Sequence, residues 1–140
     1  MSEILDFSAA LLAAEDWIDD LTRRIGWWDS ERVYSVFVAA LHAFFRDSLP
    51  RNEAVYVGAQ LPPLLRGFYY EGWHATGLAA ARGREAYLER IRDSLHRDPG
   101  IDAEEVARAV FSLLAARMPA AELEDAKAST PKALHYLWPA

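Results

Sequence analysis

The last third of the chain repeats an earlier stretch of it, and this repeat limits the possible folds more than any other feature. Met118-Pro119 placed on Leu49-Pro50 sets an offset of 69 residues (118 − 49). Phe37 then falls on Val106, Leu41 on Val110, Phe44 on Leu113 and Phe45 on Leu114. Further on, Glu53 meets Glu122, Pro62 meets Pro131, Leu65 meets Leu134, Phe68 meets Leu137 and Tyr69 meets Trp138. Upstream the offset is 70 (87 − 17), and Trp17, Ile18, Leu21 and Ile25 meet Tyr87, Leu88, Ile91 and Leu95. One residue of difference fits a change in loop length. Self-similarity at a fixed spacing marks an architecture built from like units whose apolar faces cover one another.

Those units read as helical. Leu11, Ala14, Trp17, Ile18, Leu21 and Ile25 recur at three- and four-residue steps, predicting a helix over about 8–25 that Gly26 ends. Val33, Phe37, Ala40, Leu41, Phe44 and Phe45 predict a second over about 30–48, with Ser30 as N-cap. Pro50 opens a third over about 51–70, and Pro62-Pro63 should kink it or split it in two. The plan then recurs: a helix over about 84–96, a turn at Asp98-Pro99-Gly100, and a helix over about 103–117 started by Asp102 with Glu105 in the manner of a capping box. A last helix from Pro119 is broken at Pro131. No alternating β-branched run is long enough for a strand. The expected fold is all-α: a tandem repeat of two three-helix units packed into one helical bundle, the third helix of each unit broken at a proline. It forms a single domain over 1–140, with one unit at about 8–73, a linker at about 74–83 and a second unit at about 84–139.

Apolar residues make up 52% of the chain, enough for a substantial core, and no stretch approaches the roughly 18 continuous apolar residues of a membrane span. Without cysteine there is no disulfide, thiolate nucleophile or cysteine zinc site. The start, Met1-Ser2-Glu3-Ile4-Leu5-Asp6, lacks a basic segment, so a cytoplasmic protein with no membrane association is expected. Charge is unevenly distributed. Residues 1–31 carry eight acids (Glu3, Asp6, Glu15, Asp16, Asp19, Asp20, Asp29, Glu31) against Arg23 and Arg24, a net of −6, which is the net charge of the whole chain. That argues against nucleic-acid binding, which needs a basic face. The like-charge pairs Glu15/Asp19 and Asp16/Asp20 are mildly destabilising unless a cation or an arginine neutralises them, and the simpler reading is a solvated face. Arg82, Arg84, Arg90, Arg92 and Arg97 make the fourth predicted helix locally basic; it could pair with the first, within the molecule or between copies, but two solvated faces are the simpler reading.

Phe68, Tyr69, Tyr70 and Trp73 crowd four aromatic rings into six residues at a helix exit. Tyr and Trp combine a large apolar face with a polar tip, which suits recognition. The simpler reading is that these rings fill the seam between two halves, since most aromatic rings are core or seam. Glu71 and His74 have the spacing of a di-iron E-x-x-H pair, but that chemistry needs a second such pair, which the chain lacks. Asp93 and His96 are more simply an exposed helix end. His42 reads as a hydrogen-bonded helix residue, and His135 and Tyr136 as caps of the last helix.

Three stretches bear a family resemblance. They are Leu49-Pro50 through Glu53-Ala54, then Gly58-Ala59-Gln60-Leu61-Pro62, and Arg66-Gly67-Phe68-Tyr69-Tyr70-Glu71-Gly72-Trp73. Together with Ala109-Val110-Phe111 and the ending Pro131 through Leu137-Trp138-Pro139, the chain resembles the bacterial "domain of unknown function 2267" family from about Trp17 to Pro139. The resemblance implies an all-helical tandem repeat and carries no activity, cofactor or catalytic residue. The chain departs from the family pattern at His74-Ala75, where Asp-Pro is expected, and at Ser129-Thr130-Pro131, where Gln-Leu-Pro is usual.

The expected function is therefore a non-enzymatic protein-interaction or scaffold module, its partner another protein or a second copy. The expected binding residues are Tyr69, Tyr70, Glu71, Trp73 and His74. No catalytic residue, metal or cofactor is expected. The alternative is a small-molecule- or metal-binding protein with a pocket between the halves lined by Tyr70, Glu71, Trp73 and His74.

Overall fold

A computed structural model describes residues 6–26, 30–47, 49–73, 84–94 and 98–139, and every regular element among them is helical. α1 spans Phe7–Ile25. The Asp6 carboxylate accepts the amide of Ala9 at 3.0 Å, and Gly26 ends the helix in the left-handed conformation, φ 83°. α2 covers Ser30–Leu41 and runs into a π-helical turn, His42–Arg46. After Pro50 comes α3, Arg51–Ala59; after Pro62 comes α4, Pro63–Tyr70. α5 is Arg84–Ser94 and α6 is Ala103–Arg117, capped by Asp102, whose Oδ1 accepts the amides of Glu104 and Glu105. After Pro119 comes α7, Ala120–Ser129, and after Pro131 a 3₁₀ segment, Lys132–Leu137.

The π turn replaces the last part of the regular second helix expected over 30–48. Its wide turn closes with the Asp47 amide donating to the His42 carbonyl five residues back. Apolar periodicity could not reveal it, because Ala40, Leu41, Ala43, Phe44 and Phe45 are all buried in near-continuous sequence, with only His42 and Arg46 of the turn partly exposed.

α2 and α6 touch at the centre. α1 lies on both, and so does α5. α3 packs on α7, while α4 rests on α1, α2 and α3. Between the π turn and α6 the aromatic rings form a continuous seam. Phe44 meets Tyr87 at 6.0 Å and Phe111 edge-on at 5.3 Å; Phe45 meets Phe111 at 5.2 Å; Phe111 meets Trp138 at 4.6 Å. Such ring pairs add to the area they bury. No helix among the described residues is long and apolar enough to cross a membrane.

Candidate interaction groove

The aromatic exit of α4 is largely committed to packing α4 on α3. Tyr69 is fully buried and its hydroxyl donates to the Ala54 carbonyl at 2.6 Å; burial raises its pKa far above the ordinary range. The Tyr70 hydroxyl donates to the Val55 carbonyl, and its ring stands 5.0 Å from that of Tyr69 and 5.6 Å from that of Trp73. Gly58 makes this approach possible: a Cβ there would fall on the Tyr70 hydroxyl and within 2.9 Å of the Tyr69 ring. Trp73 is half-buried and Glu71 exposed. His74 lies outside the described residues.

Basic side chains of the π turn hold this same C-terminal end of α4. His42 Nε2 sits 2.9 Å from the Phe68 carbonyl, and Arg46 donates to the carbonyls of Glu71 at 2.8 Å and Tyr69 at 3.4 Å. Cations suit the negative end of a helix, where carbonyls lack partners. Burial lowers the His42 pKa, so the neutral ring is the folded form. Arg46 and Arg90 also grip the Asp47 carboxylate, at 2.9 and 2.7 Å. Burial alone would raise the Asp47 pKa; those two arginines hold it below the usual value. From α4, Arg66 caps α3 in the same way through the carbonyls of Gly58, Ala59 and Leu61.

The acidic face of α1 is divided. On one flank Arg117 of α6 reaches Asp16 and Asp20, both at 2.9 Å, while Arg24 holds Asp20 at 2.8 Å. The Arg117 guanidinium lies 5.2 Å from the centre of the Trp17 ring. Desolvation would raise the Asp20 pKa, but the hydrogen bonds from Arg117 and Arg24 bring it below its ordinary value. The neutralising arginine thus comes from α6, and the basic α5 spends its charge elsewhere: Arg92 on Glu85 and Glu89, Arg90 on Asp47. On the other flank Glu15 and Asp19 have no ion-pair partner among the described residues.

That second flank borders an open groove of about 590 Å³ where α1, α2 and α4 meet. Leu11, Ala14, Ile18, Tyr34, Leu64 and Phe68 line it, with Glu15, Asp19 and Ser35. Leu11 and Phe68 remain 42% and 43% exposed, high for large apolar side chains. The Phe68 ring meets Tyr34 edge-on at 5.5 Å. Burial, then the nearby Glu71 carboxylate, raise the Tyr34 pKa, so Glu71 adds a further negative charge to this edge. Sequence periodicity places Leu11 on the core face of α1, and the repeat aligns Phe68 with buried Leu137; neither signal showed that these two side chains stay in solvent. A clue was present in the length of the stripe: Phe7 and Leu11 extend it past Ala14, the first buried residue of α1.

Among the described residues no three His, Asp or Glu side chains come together in a way that could hold a metal ion. No curated protein matches the chain. The profile of the family described as "Uncharacterized conserved protein (DUF2267)" matches residues 14–137, which spans α1 from its first buried residue to the end of the 3₁₀ segment. On that match the chain belongs to the DUF2267 family.

Proposed function

We propose that the chain is a non-enzymatic interaction module that offers the α1–α2–α4 groove to a partner. The observation that carries this reading is a pair of large apolar side chains, Leu11 and Phe68, left in solvent on either side of an open apolar groove. The titratable groups nearest to catalytic chemistry, His42, Arg46 and Asp47, are engaged in holding helix ends together. We read the scaffold as two like units in one domain. In support, α3 and α7 each follow a proline in nearly the same backbone conformation (φ −53°, ψ 148° and φ −58°, ψ 148°), and α1 and α5 each rest on both central helices.

A second reading, a small-molecule site, draws support from the groove's volume, which lies within the roughly 300–1,000 Å³ usual for such sites. Its lining differs from the Tyr70, Glu71, Trp73 and His74 set expected between the halves, and includes only their neighbour Phe68.

Both readings require an accessible apolar groove. Titration with the neutral dye Nile red tests it: fluorescence should rise with the wild-type chain and fall sharply with a folded Leu11→Ser/Phe68→Ser variant. An equal rise with both proteins would place the accessible apolar surface elsewhere.

A further inference from the structure

Resting on that reading of the groove, we infer that its occupant is a cationic amphipathic helix of a partner protein. Three features of the groove define this class.

The first is shape. The apolar stripe of α1 runs Phe7, Leu11, Ala14, Ile18, stepping by four, three and four residues; Phe7 is 72% exposed and extends the stripe one turn beyond the groove. Eleven residues of helix (18 − 7) measure about 16 Å. An apolar track of three turns, closed on its far side by Leu64 and Phe68 of α4, matches the i, i+3, i+4, i+7 face of a helix laid beside it. A compact small molecule would leave the Phe7 end uncovered.

The second is charge. All of the chain's net charge of −6 resides in residues 1–31. Arginines from within the molecule neutralise the Asp16/Asp20 flank of α1, yet the Glu15/Asp19 pair beside the groove has no such partner among the described residues. Like charges four residues apart on a helix destabilise it, and Lys or Arg side chains of an incoming helix would turn that cost into attraction.

The third is what the same charges exclude. A second copy docked by the same face would bring Glu15 and Asp19 of both chains together, because a two-fold interface sets each patch against itself. Anionic lipid headgroups and nucleic-acid phosphates are repelled for the same reason.

The test uses the full chain and two synthetic helical peptides of about 18 residues, long enough to hold a helix. Both carry the same Leu stripe; one has a Lys polar face and the other a Glu polar face. Binding is read by fluorescence anisotropy. The Leu/Lys peptide should bind and the Leu/Glu peptide should not. Glu15→Gln/Asp19→Asn should weaken the Leu/Lys peptide by about fivefold or more. Glu122→Gln/Asp125→Asn, which removes the same charge from α7, should leave its binding unchanged. Leu11→Ser/Phe68→Ser should abolish binding, so that charge alone cannot account for it. Equal binding of both peptides, or equal weakening by the two charge variants, would overturn the inference. So would failure of the Leu/Lys peptide to bind a chain that still takes up Nile red at the groove, an outcome that leaves the groove standing and removes its occupant. Loss of groove-dependent dye binding would instead remove the functional reading itself.

Discussion

Two corners of this molecule, each a junction of three helical segments, have opposite character. In one, α1, α2 and α4 meet; in the other, α5 and α6 meet the 3₁₀ segment. The second corner is filled. Tyr136 lies under two guanidinium groups, Arg84 at 5.5 Å and Arg108 at 5.1 Å, and its hydroxyl donates to Glu104 at 2.8 Å. The first corner has Tyr34 against Phe68 and otherwise a groove with carboxylates on its edge. A junction of three helical segments can thus be closed with ordinary side chains. The open one is not imposed by the helical scaffold, and this makes the exposed Leu11 and Phe68 informative about function.

Mutations can break or sharpen this contrast. The largest effect is expected where neither corner is involved. Phe111→Ala removes the ring that contacts Phe44, Phe45 and Trp138, and should cost about 3–5 kcal/mol in chemical denaturation. Gly58→Ala should cost about 1–3 kcal/mol, because the new methyl displaces the Tyr69 and Tyr70 rings and with them α4, one wall of the groove. A cost near zero would mean that α4 is less firmly held than its contacts imply. In the filled corner, Tyr136→Ala should cost about 1–2 kcal/mol through lost guanidinium contacts and a lost hydrogen bond. Leu11→Ser in the open corner should stay within about 0.5 kcal/mol, since an exposed side chain supports little. Equal costs at the two corners would erase the distinction between packing and presentation.

The smallest effect is a pH dependence. The folded pKa of His42 lies below its unfolded value of about 6.5, so the unfolded chain binds more protons between the two. The contribution of His42 is fully present above pH ~6.5 and is lost as pH falls from there through the folded value. Asp20 and Asp47, also lowered, add a separate loss below the ordinary carboxylate value of 3.8. Denaturation measured across this range should show a first decline that His42→Gln removes and a later acid decline that it leaves in place.

The fold was legible where periodicity and local capping decide it. Gly26 ends α1, and Asp102 opens α6 as the chain's residue pattern indicates. The π turn was not legible, since the run of adjacent buried residues Ala43, Phe44 and Phe45 carries little phase information. Nor were the polar contacts that hold the elements together. His42 meets Phe68 across 26 residues and Arg117 meets Asp16 across 101, and no local spacing encodes either pair. The groove escaped for a related reason. An apolar side chain on the core-facing stripe of a helix reads the same whether a neighbour covers it, as at Ile18, or stops short of it, as at Leu11. Only the placement of α4 separates the two cases.

The most direct test of the open corner is a methyl NMR spectrum of the full chain recorded before and after addition of the Leu/Lys peptide. The account predicts shifts at Leu11, Ile18 and Leu64, with Leu134 and Leu137 beside α6 unmoved. Shifts centred on Leu134 and Leu137, or spread evenly over both corners, would contradict it.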